Sequence, residues 1–140
     1  MKQKFMICNH CGNIIGIVEQ PGAPLVCCGE EMQEIISHAK SLGAVVSVNH
    51  PKCPVCPYKW EDENAFDMME IWNGPMRPSN EKALDWWTSL ISKGRQIPVV
   101  GGSDFHKPKQ FAKLGNPITA VYSESRGAED ILSAIKQGNC

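Results

Sequence analysis

Ile7-Cys8-Asn9-His10-Cys11-Gly12, answered fifteen residues later by Cys27-Cys28-Gly29, decides how the first part of this 140-residue chain folds. Thiolates are soft ligands, and four of them in tetrahedral array suit a single iron or zinc ion. A segment of ~35 residues lies below the size at which an apolar core suffices, so a metal, disulfides or association must supply the rest. In C-x-x-C the two intervening residues let the backbone wrap a metal as a knuckle, and Gly12 permits the conformation that such a turn needs. Adjacent side chains on a strand point to opposite faces, so Cys27 and Cys28 reach one metal only if the chain turns there. Gly29 makes that turn accessible. His10 sits inside the knuckle, where it would be a surplus ligand, and is expected at the surface.

Composition narrows the function classes. Fourteen Lys and Arg stand against fifteen Asp and Glu, a formal net charge of -1, and no basic run is interleaved with aromatics. Neither nucleic acid nor an anionic membrane is therefore expected as a partner. The start MKQKFMICNHC is basic but lacks an apolar core, and no apolar stretch approaches the ~20 residues of a membrane helix. Seven cysteines make an odd number, which argues against a closed disulfide framework. C-x-x-C without a leader reads as metal binding in a reducing compartment, and a cytoplasmic location is expected.

Two segments follow from the patterning. Residues 1–32 read as short strands and turns: Lys4 to Ile7, Ile14 to Glu19, a turn cluster at residues 20–24, and Leu25-Val26 leading into the cysteine pair. Residues 33–140 alternate helix and strand. Helices are expected at Glu34 to Leu42, Asn80 to Lys93 and Ala128 to Lys136, the first two followed by Gly43 and Gly94. Strands are expected at Ala44 to Val48, Phe66 to Trp72, Ile97 to Val100 and Ile118 to Tyr122. Ala83, Leu84, Trp87, Leu90 and Ile91 form the apolar face of the middle helix. Such alternation implies right-handed crossovers and a parallel sheet, so the expected class is α/β, a small metal-bound β-rich module followed by a partial parallel segment.

Phe5-Met6-Ile7-Cys8-Asn9-His10-Cys11-Gly12-Asn13, followed by Leu25-Val26-Cys27-Cys28-Gly29-Glu30-Glu31-Met32, closely resembles desulforedoxin and the N-terminal domain of desulfoferrodoxin. The resemblance implies a rubredoxin-type Fe(SCys)4 centre on Cys8, Cys11, Cys27 and Cys28, a one-electron transfer or redox role, and a habit of two-fold dimerisation. Zinc would fold such a module equally well but carry no electrons, leaving the site structural. The superoxide-reducing domain of desulfoferrodoxin has no counterpart in the remaining sequence.

A second constellation lies at strand ends. Val48-Asn49-His50-Pro51 and Gly101-Gly102-Ser103-Asp104-Phe105-His106 place two histidines and an aspartate where parallel α/β folds hold ligands. Imidazole plus carboxylate favours zinc, manganese or iron, all able to activate water. Together with Asp67-Met-Met-Glu-Ile-Trp-Asn-Gly74, and with the segments from Leu114 to Val121 and from Glu129 to Gly138, these stretches are similar to the later motifs of PHP-type metallophosphoesterases. That resemblance covers residues 33–138 and implies His50, Asp104 and His106 as metal ligands in a barrel-like hydrolase. The first half of such a barrel, with its H-x-H motif, is missing, and His10 and His38 stand in the wrong contexts to replace it. Activity would then need a homodimer or a second subunit to complete the barrel. Trp60, Trp72, Trp86 and Trp87 read mainly as core, with Trp86 off the apolar helix face and open to a partner. Cys53 and Cys56 form another C-x-x-C beside His50, either three ligands of a zinc site without an obvious fourth, or two free thiols or a reversible disulfide. Cys140 is expected as a free thiol.

Overall fold

The computed structural model describes residues 4–17, 23–58, 63–108 and 111–140. The chain divides into two compact units, residues 1–46 with 60–65, and residues 47–59 with 66–140.

In the first unit, β1 (Lys4–Ile7) pairs antiparallel with β2 (Ile14–Ile17), Ile7 opposite Ile14, so the C-x-x-C knuckle is the loop of this hairpin. Val18, Glu19 and residues 20–22, included in the expected strand and turn, lie outside the described residues. A second hairpin joins β3 (Val26–Cys27) to β4 (Glu30–Glu31), with Cys27 opposite Glu30. Only Cys28 and Gly29 remain for its loop, at φ 53° and 81°. Positive φ at both central residues is the tight turn whose twist matches that of its strands. The turn expected at the cysteine pair is thus a two-residue hairpin loop.

Strand β5 (Gln33–Glu34) adds to the free edge of β1 and runs directly into α1 (Ile35–Ser41). The Glu34 carboxylate caps that helix by accepting from the Ile36 and Ser37 N–H groups at 3.2 and 2.7 Å. Because β5 belongs to the sheet of the first hairpin and α1 is continuous with it, the first unit extends past the boundary expected after Met32. Among the described residues, Cys8 and Met32 are its buried side chains, too few for a core that folds unaided.

The second unit holds a parallel sheet, β6 (Ser47–Val48), β7 (Met68–Asn73) and β8 (Val99–Gly102), in the order β6-β7-β8. Helix α2 (Pro78–Ser92) makes the crossover from β7 to β8. Central β7 buries Met68, Met69 and Glu70 in succession, as a strand covered on both faces must. The stripe that α2 buries is narrower than the sequence implies. Ala83 and Leu90 are buried and Trp87 is half-buried, whereas Leu84 and Ile91 are exposed. Three short strands offer room for the i, i+4, i+7 row and little beyond it. Trp87 Nε1–H donates to the Ile97 carbonyl at 2.9 Å, fixing the helix to the start of β8.

Two sequence expectations change. Ala44 to Val48 contributes only the two residues of β6, and Ile118 to Tyr122 forms no strand. Ile118 and Tyr122 are exposed, and the segment is tied to β8 through a side chain instead of a ladder. The Thr119 hydroxyl accepts from the Gly101 N–H at 2.9 Å and donates to the Gly101 carbonyl at 2.8 Å, occupying the backbone groups a fourth strand would have used. The three strands among the described residues do not by themselves build a barrel-like arc. Helix α3 (Ala128–Lys136) follows, as expected from its pattern.

Trp86 belongs to an aromatic cluster, with ring centroids 5.7 Å from Tyr58 and 5.8 Å from Phe66 and the Lys52 ammonium 4.1 Å above its ring. It is therefore half-covered by its own unit. Trp60 lies outside the described residues. No helix among the described residues is long and apolar enough to cross a membrane.

Candidate metal centre

Two hairpin tips bring Cys8, Cys11, Cys27 and Cys28 together, their sulfurs all within 4.8 Å of one another. The knuckle closes through Cys8 N–H to the Asn13 carbonyl at 2.9 Å and Gly12 N–H to the Cys8 carbonyl at 2.8 Å, with Gly12 at φ 74°. The Cys8 thiol points across to the second hairpin, 3.6 Å from the Cys27 carbonyl. Sulfurs are 3.7 Å apart for Cys11 and Cys27, and 3.9 Å for Cys27 and Cys28. A tetrahedral ion with metal–sulfur bonds of ~2.3 Å requires sulfur–sulfur edges of ~3.8 Å. A disulfide requires about 2.05 Å, and all seven cysteines are free thiols. The donor set fits one tetrathiolate metal. His10 is exposed and is not part of the cluster.

The thiols compete for protons. The Asn13 backbone N–H, followed by the thiols of Cys28, Cys8 and Cys27, hydrogen-bonds the Cys11 thiolate and brings its pKa from 9.0 down to about 7. Hydrogen bonding first to Cys11 and then to Cys27 pushes Cys28 up to about 12. Cys27 is raised as well, chiefly by its hydrogen bond to Cys11. Four crowded thiols cannot all ionise without a cation, so metal uptake must expel protons from Cys27 and Cys28.

The turn that presents Cys28 gives a sharp expectation. Open space surrounds a Cβ built at Gly29, so the strain of Gly29→Ala comes from its positive φ alone. A cost of about 1 kcal/mol follows, equivalent to a ~5-fold loss of metal in competition with a chelator. Equal retention by Gly29→Ala and wild type would mean the hairpin does not need this conformation.

In the second unit, His50 follows β6 and Asp104 follows β8, so both flank the end of central β7. His106 turns back on its own loop. Its Nδ1–H donates to the Asp104 carbonyl at 2.8 Å, and its Nε2 lies 3.8 Å from Asp104 Oδ1, with the histidine side chain largely exposed. The structure does not gather the ligand atoms of His50, Asp104 and His106 into one cluster. It gathers His50, Cys53 and Cys56, whose ligand atoms also lie within 4.8 Å of one another. Cys56 Sγ is 3.7 Å from His50 Nδ1 and 3.3 Å from Cys53 Sγ.

Backbone N–H groups of Cys56 and Val55 lower the Cys53 pKa, with a small contribution from the Arg77 guanidinium. Cys56 is raised, first by its hydrogen bond to Cys53 and in smaller part by the charge of nearby Asp104.

Glu70, to which the sequence reading gave no role, is the group that holds this loop. Buried on β7, its Oε2 accepts from the His50 backbone N–H at 2.6 Å, and both its oxygens accept from Asn73 Nδ2 at 3.3 Å. The signal was a carboxylate in the middle of the apolar run Met68-Met69-Glu70-Ile71-Trp72, which must be there for its hydrogen bonds. Among the described residues, the non-glycine residues with positive φ are Cys28, His50 and Asp104, at 53°, 34° and 52°. Each had been singled out by chemistry, and such strain persists only where surrounding structure imposes it.

Comparison with known proteins bears on the first unit. No curated protein and no solved structure matches the chain, and the resemblance of residues 33–138 to PHP-type enzymes gains no support from them. Residues 2–35 match the family model of the desulfoferrodoxin N-terminal domain, a stretch that contains all four clustered cysteines.

Proposed function

We propose that Cys8, Cys11, Cys27 and Cys28 hold one iron ion as a rubredoxin-type Fe(SCys)4 centre and that the chain serves in one-electron transfer or redox sensing. The observation that carries this reading is the sulfur spacing of 3.7 and 3.9 Å, close to the edge of a tetrathiolate tetrahedron. The match to the desulfoferrodoxin N-terminal domain supports iron as the ion. Iron in such a site exchanges a single electron between its ferrous and ferric forms.

The chain's own residues set the conditions for that exchange. Cys8 is buried and anchors the knuckle, whereas Cys11 and Cys28 are exposed and bring two ligand sulfurs to the surface. A partner could approach these sulfurs without any opening of the fold. The knuckle and the Cys28-Gly29 turn hold the ligands from two separate hairpins.

Metal analysis and visible absorption of aerobically purified protein test the proposal. One iron per chain at the cluster, with ferric-thiolate colour bleached by dithionite, is expected. Colourless protein carrying stoichiometric zinc at these four cysteines would leave the site structural and end the electron-transfer reading.

A further inference from the structure

The second unit carries a ligand cluster that the iron-centre reading does not use. His50, Cys53 and Cys56 are spaced three apart in His50-Pro51-Lys52-Cys53-Pro54-Val55-Cys56, so each successive turn of the loop returns a donor to the same side. We propose that these three residues hold a second metal ion, zinc, with the fourth position open to water.

Distances suit the ion. Zinc bonds of ~2.05 Å to imidazole and ~2.3 Å to sulfur require a nitrogen–sulfur edge of about 3.6 Å in a tetrahedron. The His50 Nδ1 to Cys56 Sγ separation is 3.7 Å. The two sulfurs, 3.3 Å apart, must open by about half an ångström to reach the ~3.8 Å sulfur–sulfur edge, a small motion for exposed Cys56. That separation is well beyond the ~2.05 Å of a disulfide. Two thiolates and a neutral imidazole also balance the charge of a divalent cation, so the complex needs no further counter-ion.

The loop is built to hold its donors in place. Glu70 fixes the His50 backbone at 2.6 Å despite its positive φ, and Pro51 is fully buried beneath it. Cys53 N–H donates to the His50 carbonyl at 2.9 Å, and Tyr58 N–H returns to the Pro51 carbonyl at 2.9 Å, closing the segment on both sides of the cysteines. A cavity of about 20 Å³ opens beside His50 and Cys53, lined also by Glu70, Asn73, Arg77 and Asn80. It has room for one solvent molecule among polar partners. Soft sulfur with imidazole selects zinc over magnesium, calcium or manganese. Three protein ligands leave one position open, the arrangement of zinc sites that activate water.

Reconstitution of the reduced full-length chain with Zn2+ alone, followed by metal analysis after desalting, tests this. Wild type is expected to retain two zinc ions per chain. Cys53→Ser/Cys56→Ser should retain one, at the four-cysteine cluster, and Cys8→Ser/Cys11→Ser should retain one, at the new site. His50→Gln, which keeps both thiols, should weaken the second ion at least tenfold while leaving the circular dichroism unchanged. Cobalt as probe adds a count of ligands, with thiolate charge-transfer absorption falling by about a third in Cys53→Ser/Cys56→Ser as six thiolates become four. One zinc in wild type and none in Cys8→Ser/Cys11→Ser overturns the proposal. So does a Cys53–Cys56 disulfide that forms in air with two or more equivalents of zinc per chain present, since the pair would then be a redox couple. None of these outcomes depends on whether iron or zinc occupies the first cluster.

Discussion

Cys8→Ser is expected to abolish metal binding at the four-cysteine cluster and to unfold the first unit with it. Cys8 is the most buried of the four ligands, 1% exposed, and its thiol spans from one hairpin to the other. With only Cys8 and Met32 buried among the described residues, the unit has little apolar core there to fall back on. Binding free energy of a structural tetrathiolate-type site is folding free energy, on the order of 10 kcal/mol for small metal-folded domains. The readouts are loss of the bound metal and collapse of amide-exchange protection across residues 4–17 and 25–34. Retention of protected strands without metal would show that the hairpins are stable alone.

Acid should produce the same loss in the wild-type chain. Cys27 and Cys28 both have pKa values raised above 9.0, so in the metal-free chain they hold protons at neutral pH, and uptake of a metal releases them. Each proton released makes the apparent affinity fall about tenfold per pH unit, so Cys27 and Cys28 together contribute about 100-fold per unit. Below pH 7 the Cys11 proton joins them, because its pKa is about 7, and the slope steepens by about a further tenfold per unit. Raising the pH strengthens retention until Cys28 ionises without help near 12. A metal affinity that is flat between pH 6 and 8 would contradict the crowded-thiol arrangement.

The second large effect lies in the other unit. Leu90→Ala should destabilise the parallel sheet by about 2–5 kcal/mol, the range for emptying a fully buried leucine site. Leu90 has no exposed surface, and it lies on the buried row of α2 with Ala83 and Trp87, the helix that packs on central β7. Leu84→Ala, on the exposed flank of the same helix, provides the control and should cost less than about 1 kcal/mol. Thermal or urea unfolding followed by tryptophan fluorescence reports on this unit through Trp72, Trp86 and Trp87. Equal effects of the two substitutions would mean that α2 faces the sheet differently.

The first hairpins were legible because the cysteines left few alternatives. Cys8 and Cys11 need a knuckle, Cys27 and Cys28 need a turn, and Gly12 and Gly29 supply the conformations at φ 74° and 81°. What the spacing did not reveal was that Cys28 itself adopts positive φ, as the first central residue of the type I′ or II′ turns that close two-residue hairpin loops. The fourth parallel strand failed for a different reason. Ile118 to Tyr122 has strand-like composition, but Thr119 satisfies Gly101 through its hydroxyl, and composition does not record which groups are already bonded.

The second cluster shows the same division. Sequence alone determined the donors, His50, Cys53, Cys56, Asp104 and His106, and placed His50 and Asp104 just beyond strand ends, because ligand chemistry and strand punctuation are local properties. Which donors converge was decided by tertiary structure. Glu70, twenty residues from His50 in the chain, turns that residue toward the C-x-x-C loop, while His106 bonds back to Asp104 and stays in solvent. The pairing depends on the register of β6 against β7, Ser47 opposite Met68 and Val48 opposite Met69, a long-range relation that no local pattern encodes.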